Sequence, residues 1–162
     1  MDIAHAEHDP SHAALTHAFA GCGPVRVILT SSGDIAWVTA QQSNRLLSFS
    51  TSRLLTDPTH ALIASVSVGT APTGMALVDN DAVLVITNSN RFAEPQTPQT
   101  LTLLDAEQAL TGHTRILGTI HVGAFPRELT LGPDGGSLFL TNYTSNTLNI
   151  IDVTKLPKPS NG

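Results

Sequence analysis

Three glycines stand three residues ahead of a proline at corresponding places along the chain: Gly21 and Pro24, Gly69 and Pro72, Gly123 and Pro126. Eight and nine residues after each proline comes a turn dipeptide, Ser32-Gly33, Asn80-Asp81 and Asp134-Gly135. Fifteen residues after it stands a threonine, Thr39, Thr87 and Thr141. Anchors held at the same offsets in three copies mark an internal repeat. A period of about 50 residues restricts the chain to blades or stacked arrays, in which no single unit buries its own apolar face.

Each copy carries short alternating runs. Copy one offers VRVILT, AWVTAQ, RLLSFS and ALIASVSV; copy two TGMALV, AVLVIT, TLTLLD and RILGTIHV; copy three RELTLG, SLFLTN and TLNIIDV. Period-two patterns of this length are strands, and four strands per copy make a propeller blade. The turn dipeptides accept a left-handed backbone at low cost. Each proline, lacking an N–H, stands where a strand enters the next blade.

With blade strands labelled A to D from the inside outward, copy three has no D strand before the closing TKLPKPSNG. ALTHAFAG, residues 14–21, takes the D position, since Gly21 matches Gly69 and Gly123. The expected fold is all-β: three β-propeller blades of four antiparallel strands, an incomplete propeller in the order D-ABCD-ABCD-ABC. Residues 1–12 form a histidine-containing N-terminal tail, 13–156 the three-blade segment and 157–162 a C-terminal tail.

Composition removes several function classes. The 162 residues, 41% hydrophobic and 13% charged, suit one globular domain rich in β structure. Net charge is −5, and Arg26, Arg45, Arg53, Arg91, Arg115 and Arg127 are scattered, so no basic stripe tracks phosphates and no nucleic acid is expected as a partner. No apolar run approaches the ~20 residues of a membrane span, and the first residues lack a signal-peptide layout. No membrane partner is expected, and the compartment stays open. Cys22 stands alone and reads as a small packing residue. His5, His8, His12 and His17 share a segment with Asp2, Glu7 and Asp9, but their spacings fit no closed metal site. Neither a P-loop, a dinucleotide fingerprint nor a GxSxG elbow is present, and no cofactor is expected.

The stretch VGAFPRELTLGPDGGSLFLTNYTSNTLNIIDVTKL, residues 122–156, resembles the repeat of the YVTN-type β-propellers, the group that also holds lactonase-like seven-bladed propellers. Its naming tetrapeptide stands as FLTN (139–142), as VITN (85–88) and, weakened, as WVTA (37–40). The resemblance covers residues 13–156. It implies the propeller fold and leans to a periplasmic or secreted setting. For activity it implies either a binding protein or a lactone hydrolase of the phosphogluconolactonase type. Rings of this family usually have seven blades, and three blades cannot close. The expected partners are therefore the missing blades of a longer chain, or a second copy. In a six-bladed homodimer each N-terminal D strand would complete the other chain's last blade.

By analogy of fold, propeller ligands sit at the channel mouth, where D-to-A and B-to-C connections gather. Val25-Arg26, Thr73-Gly74 and Arg127-Glu128 lie there. Arg26 and Arg127 suit a carboxylate or phosphate, with Glu128 as a conceivable base. Alternatively, Arg127 and Glu128 pair with neighbours. SNRFAEPQTPQT, residues 89–100, makes the second B-to-C connection seven residues longer than its counterparts, and Arg91, Phe92 and Glu94 stand on it. The expected function is a binding module for a small anionic ligand or a protein; the alternatives are a lactone hydrolase and an inactive fragment of a longer propeller.

Overall fold

Where each sequence copy alternates, the backbone pairs. In the computed structural model, which describes residues 12–91 and 97–159, β1 (Pro24–Leu29), β2 (Ile35–Ala40), β3 (Arg45–Ser50) and β4 (Leu62–Ser67) form one antiparallel sheet in chain order. β5 (Pro72–Val78), β6 (Val83–Asn88), β7 (Thr100–Asp105) and β8 (Ile116–His121) form the second. β9 (Pro126–Leu131), β10 (Ser137–Asn142) and β11 (Thr147–Asp152) form a third of three strands. Pro24, Pro72 and Pro126 open β1, β5 and β9, where a missing N–H costs no ladder bond. The A-to-B turns use left-handed backbone at Gly33, at Asp79 to Asp81 and at Gly135. These are three successive blades, with β5 lying between β1 and β9.

Alternation divides each sheet into two faces. Trp37, Leu46 and Val66 of the first blade meet Met75, Leu84, Ile86 and Leu104 of the second. On its other face the second blade sets Ala76, Val85, Leu101 and Leu103 against Leu129, Leu138 and Leu140 of the third. Threonine hydroxyls tie the blades together near the inner strands. Thr39 Oγ1 donates to the Thr73 carbonyl at 2.8 Å, one blade on. Thr73 Oγ1 lies 3.0 Å from the Pro126 carbonyl and 2.6 Å from Thr87 Oγ1, which lies 3.2 Å from the Gly74 carbonyl. Two hydroxyl protons are thus shared among three buried contacts.

The C strands end alike. Ser50, Asp105 and Asp152 are register equivalents, each pairing with the first residue of its blade's B strand. Each side chain accepts from a backbone N–H of the helical turn that follows: Arg53 in α1 (Thr51–Thr56), Gln108 in α2 (Ala106–Leu110) and Thr154 in a 3-10 turn. After that turn Leu156 is buried against the second interblade core, and Lys158 Nζ lies 2.6 Å from Asp79 Oδ1.

Residues 14–21, expected as a D strand, make no ladder within one chain. A strand needs a partner edge. In the third sheet β11 is an outer strand with one unpaired edge, but it belongs to the blade at the far end of the arc. Residues 17–19 instead run beside Phe49 and Leu62 on the outer part of the first blade. Cys22, expected to pack, is exposed.

Candidate functional site

The residue before each blade-opening proline sits in the left-handed region: Gly23 at φ 64°, Ala71 at 50° and Phe125 at 57°. Glycine takes this conformation freely, whereas a bulky side chain forfeits about 1–2 kcal/mol. The third copy therefore holds an aromatic ring where the local backbone disfavours one. Its surroundings over-determine it. The Phe125 N–H donates to the Gln99 side-chain oxygen, and its carbonyl accepts from the Tyr143 N–H at 2.9 Å. The Phe125 and Tyr143 rings meet edge to face, with centroids 5.8 Å apart and planes at 82°.

Two cations converge on that ring. The Arg127 guanidinium lies 5.2 Å from the Phe125 centroid and that of Arg91 6.0 Å. Both side chains are exposed. The aromatic quadrupole attracts each of them although they repel one another, and two like charges gathered at one ring favour an anion beside them. The long second B-to-C connection supplies Arg91, and its roots are tied down. Ser89 Oγ donates to the Ala71 carbonyl at 2.7 Å, and Asn90 Nδ2 to that of Pro98 at 2.6 Å.

Arg26 and Glu128 go elsewhere. Although they stand on the first and third blades, with the second between them, they form an ion pair. Each lies two residues after its proline, and the equivalent place on β5 is Gly74. Both are only partly exposed, at 37% and 41%. The five residues singled out from sequence thus separate: Arg127 and Arg91 share the Phe125 ring, Arg26 and Glu128 pair with each other, and Phe92 lies outside the described residues, as do Glu94, His5 and His8.

Phe125, Tyr143 and Gln99 escaped the sequence reading. The signal for Phe125 was its alignment with Gly23 and Ala71 at a position where glycine is the easy residue. Elsewhere, a hydrogen bond from His60 and then one from Thr59 hold the Asp57 carboxyl below the usual carboxylate range, and Thr154 followed by Lys155 does the same for Asp152. Both belong to the capped turns after the C strands. Among the described residues no three His, Cys, Asp or Glu side chains group as metal ligands.

No protein-family model and no curated protein sequence matches the chain. Solved structures do. The β-propeller domain of Myceliophthora thermophila Cps50 (Swd1) superposes with a TM-score of 0.59 at 13% identity, over 80% of this chain and 40% of that one. The fold is that of an incomplete β-propeller. Hydrazine synthase of Kuenenia stuttgartiensis superposes with a TM-score of 0.67 at 15% identity, over 91% of this chain and 37% of that one. The periplasmic gluconolactonase of Pseudomonas aeruginosa gives 0.61 at 19% identity, over 82% and 36%. The chain thus spans roughly two fifths of the length of these chains, and at such identities the likeness is one of fold alone.

Proposed function

We propose that the chain is part of a YVTN-type propeller that binds a small anionic ligand, a carboxylate or phosphate, at the end where Phe125 lies. One observation carries the reading: two exposed guanidiniums, Arg91 and Arg127, rest on one aromatic ring that is held in a disfavoured backbone conformation. Strain retained beside converging cations is what a binding site retains and a plain connection sheds. Titration calorimetry with D-gluconate and with 6-phosphogluconate tests it. Arg127→Ala is expected to weaken binding about tenfold or more, the worth of a charge-assisted hydrogen bond. Phe125→Gly is expected to weaken it as well without lowering the thermal midpoint. Equal affinities in parent and Arg127→Ala, or no binding of either probe, would overturn the assignment.

Lactone hydrolysis is the second reading, favoured by the fold likeness to a gluconolactonase and by a carboxylate, Glu128, set on an inner strand. On this reading Glu128 acts as general base and Arg26 orients it through their ion pair. The pH-stat rate with glucono-δ-lactone is expected to fall at least a hundredfold in Glu128→Gln, within the range general-base catalysis contributes. Turnover that survives this change, or none in the parent, removes the reading.

A further inference from the structure

The two ends of the arc present the same two faces that the blades use on each other. Thr39, Thr87 and Thr141 are equivalent, and the register places Leu46, Leu101 and Leu148 directly opposite them. Leu46 and Leu101 are 0% exposed against the following blade, whereas Leu148 is 59% exposed. Trp37 and Phe139 match in the same way, at 1% and 36%, as do Leu103 and Ile150, at 0% and 65%. The free face of the third blade is therefore built to receive a following blade. At the other end, Val27 and Leu29 are the equivalents of Met75 and Leu77, which meet a preceding blade, and they too are exposed.

We propose that the occupant of both faces is a second copy of this chain, joined head to tail about a two-fold axis into a six-bladed ring. This inference is independent of the anion site. Six blades fall within the range that closes, whereas three fall below it and a third copy would exceed it. The symmetry seats each third blade on the other copy's first blade, so neither end stays open. Each of the two contacts would bury two faces of about 500 Å², and about 2,000 Å² in all is ample for a stable dimer.

The N-terminal segment supports the same arrangement. β4 and β8 each end two residues before a glycine, Gly69 and Gly123, and residues 14–19 stand in the same relation to Gly21. This segment makes no ladder in its own chain and lies on the first blade, beside which the partner's third blade would sit. Carried over from Leu46 opposite Val66 and Leu101 opposite Ile120, the register sets Ala18 of one copy opposite Leu148 of the other. The donated strand fills the unpaired outer edge of β11.

Light scattering across a size-exclusion peak, with circular dichroism on the same material, is the first test. The expected mass is twice the 17.0 kDa of one chain. Ile150→Lys is expected to return it to that of one chain. In a Cys22→Ser background, Ala18→Cys combined with Leu148→Cys is expected to oxidise to a covalently doubled chain, since directly opposed strand residues meet the geometry of a disulfide. Moving the first cysteine to Thr16 is expected to abolish most of that product. A well-folded parent with the mass of one chain overturns the proposal. So does a doubled mass that survives Ile150→Lys, or a disulfide formed within one chain. With a single-chain mass, the two faces would belong to further blades of a longer polypeptide.

Discussion

Gly74→Val is expected to lower the thermal midpoint by roughly 6–12 °C, the shift that about 3 kcal/mol produces in a domain of this size. A Cβ at this position would lie 2.5 Å from the Arg127 carbonyl oxygen and 3.1 Å from the Glu128 Cα. Both obstacles are backbone, so no side-chain rotation relieves the clash. β5 and β9 must move apart, and the contacts nearest the bend are the Thr73, Thr87 and Pro126 hydrogen bonds. A shift of β9 would also displace Glu128 from its ion pair with Arg26. Gly118→Ala provides the contrast. Its Cβ would meet the Pro157 ring at 3.0 Å, on a segment outside the ladders that can shift, and a cost under about 1 kcal/mol is expected. Thermal melts of both variants decide the matter. A midpoint within about 2 °C of the parent for Gly74→Val would mean that the inner strands are not packed this closely.

That close approach shows where sequence reading stops. Strands and turns were legible because alternation and turn chemistry are local: RLLSFS and TLTLLD coincide with β3 and β7, and all three turn dipeptides lie at A-to-B turns. The repeat threonines were visible as anchors, but the tie that Thr39 makes from one blade's B strand to the next blade's A strand depends on a contact 34 residues away, and Thr87 reaches the third blade only through Thr73, whose own contact lies 53 residues on. The site was legible in part. Arg26 and Glu128 were placed at one level of the channel, yet their pairing across the second blade is a contact between residues 102 positions apart that no local pattern announces. Phe125 was invisible as an aromatic among others, because its meaning lies in a φ value and in a ring contact with Arg91, which stands on a connection longer than its counterparts in the other copies. The capping of a helical turn after each C strand was also missed. Ser50, Asp105 and Asp152 carry good capping side chains, but the turns they cap are too short to leave a periodic signal.

Leu103→Ala and Ile150→Ala are expected to differ sharply when the chain is dilute and to converge when its ends are covered. The two residues are register equivalents, opposite Val85 and Phe139. Leu103 is sealed between the second and third blades, so truncation leaves a cavity and costs about 2–5 kcal/mol at any protein concentration. Ile150 is 65% exposed in the single chain, and there its truncation is expected to stay within about 0.5 kcal/mol. Once a blade is seated on it, Ile150 becomes a core residue like Leu103, and its loss should cost as much. Denaturant midpoints of the parent and both variants, read at low and at high protein concentration, separate the two regimes, because association adds to apparent stability by mass action. A cost at Ile150 that rises with concentration while that at Leu103 stays constant is the expected pattern. Concentration-independent costs at both positions would mean that no second blade reaches the face. The comparison uses the repeat as its own control: the side chains are of like size on equivalent strands, and what differs is whether a neighbouring blade is present to exclude water from them.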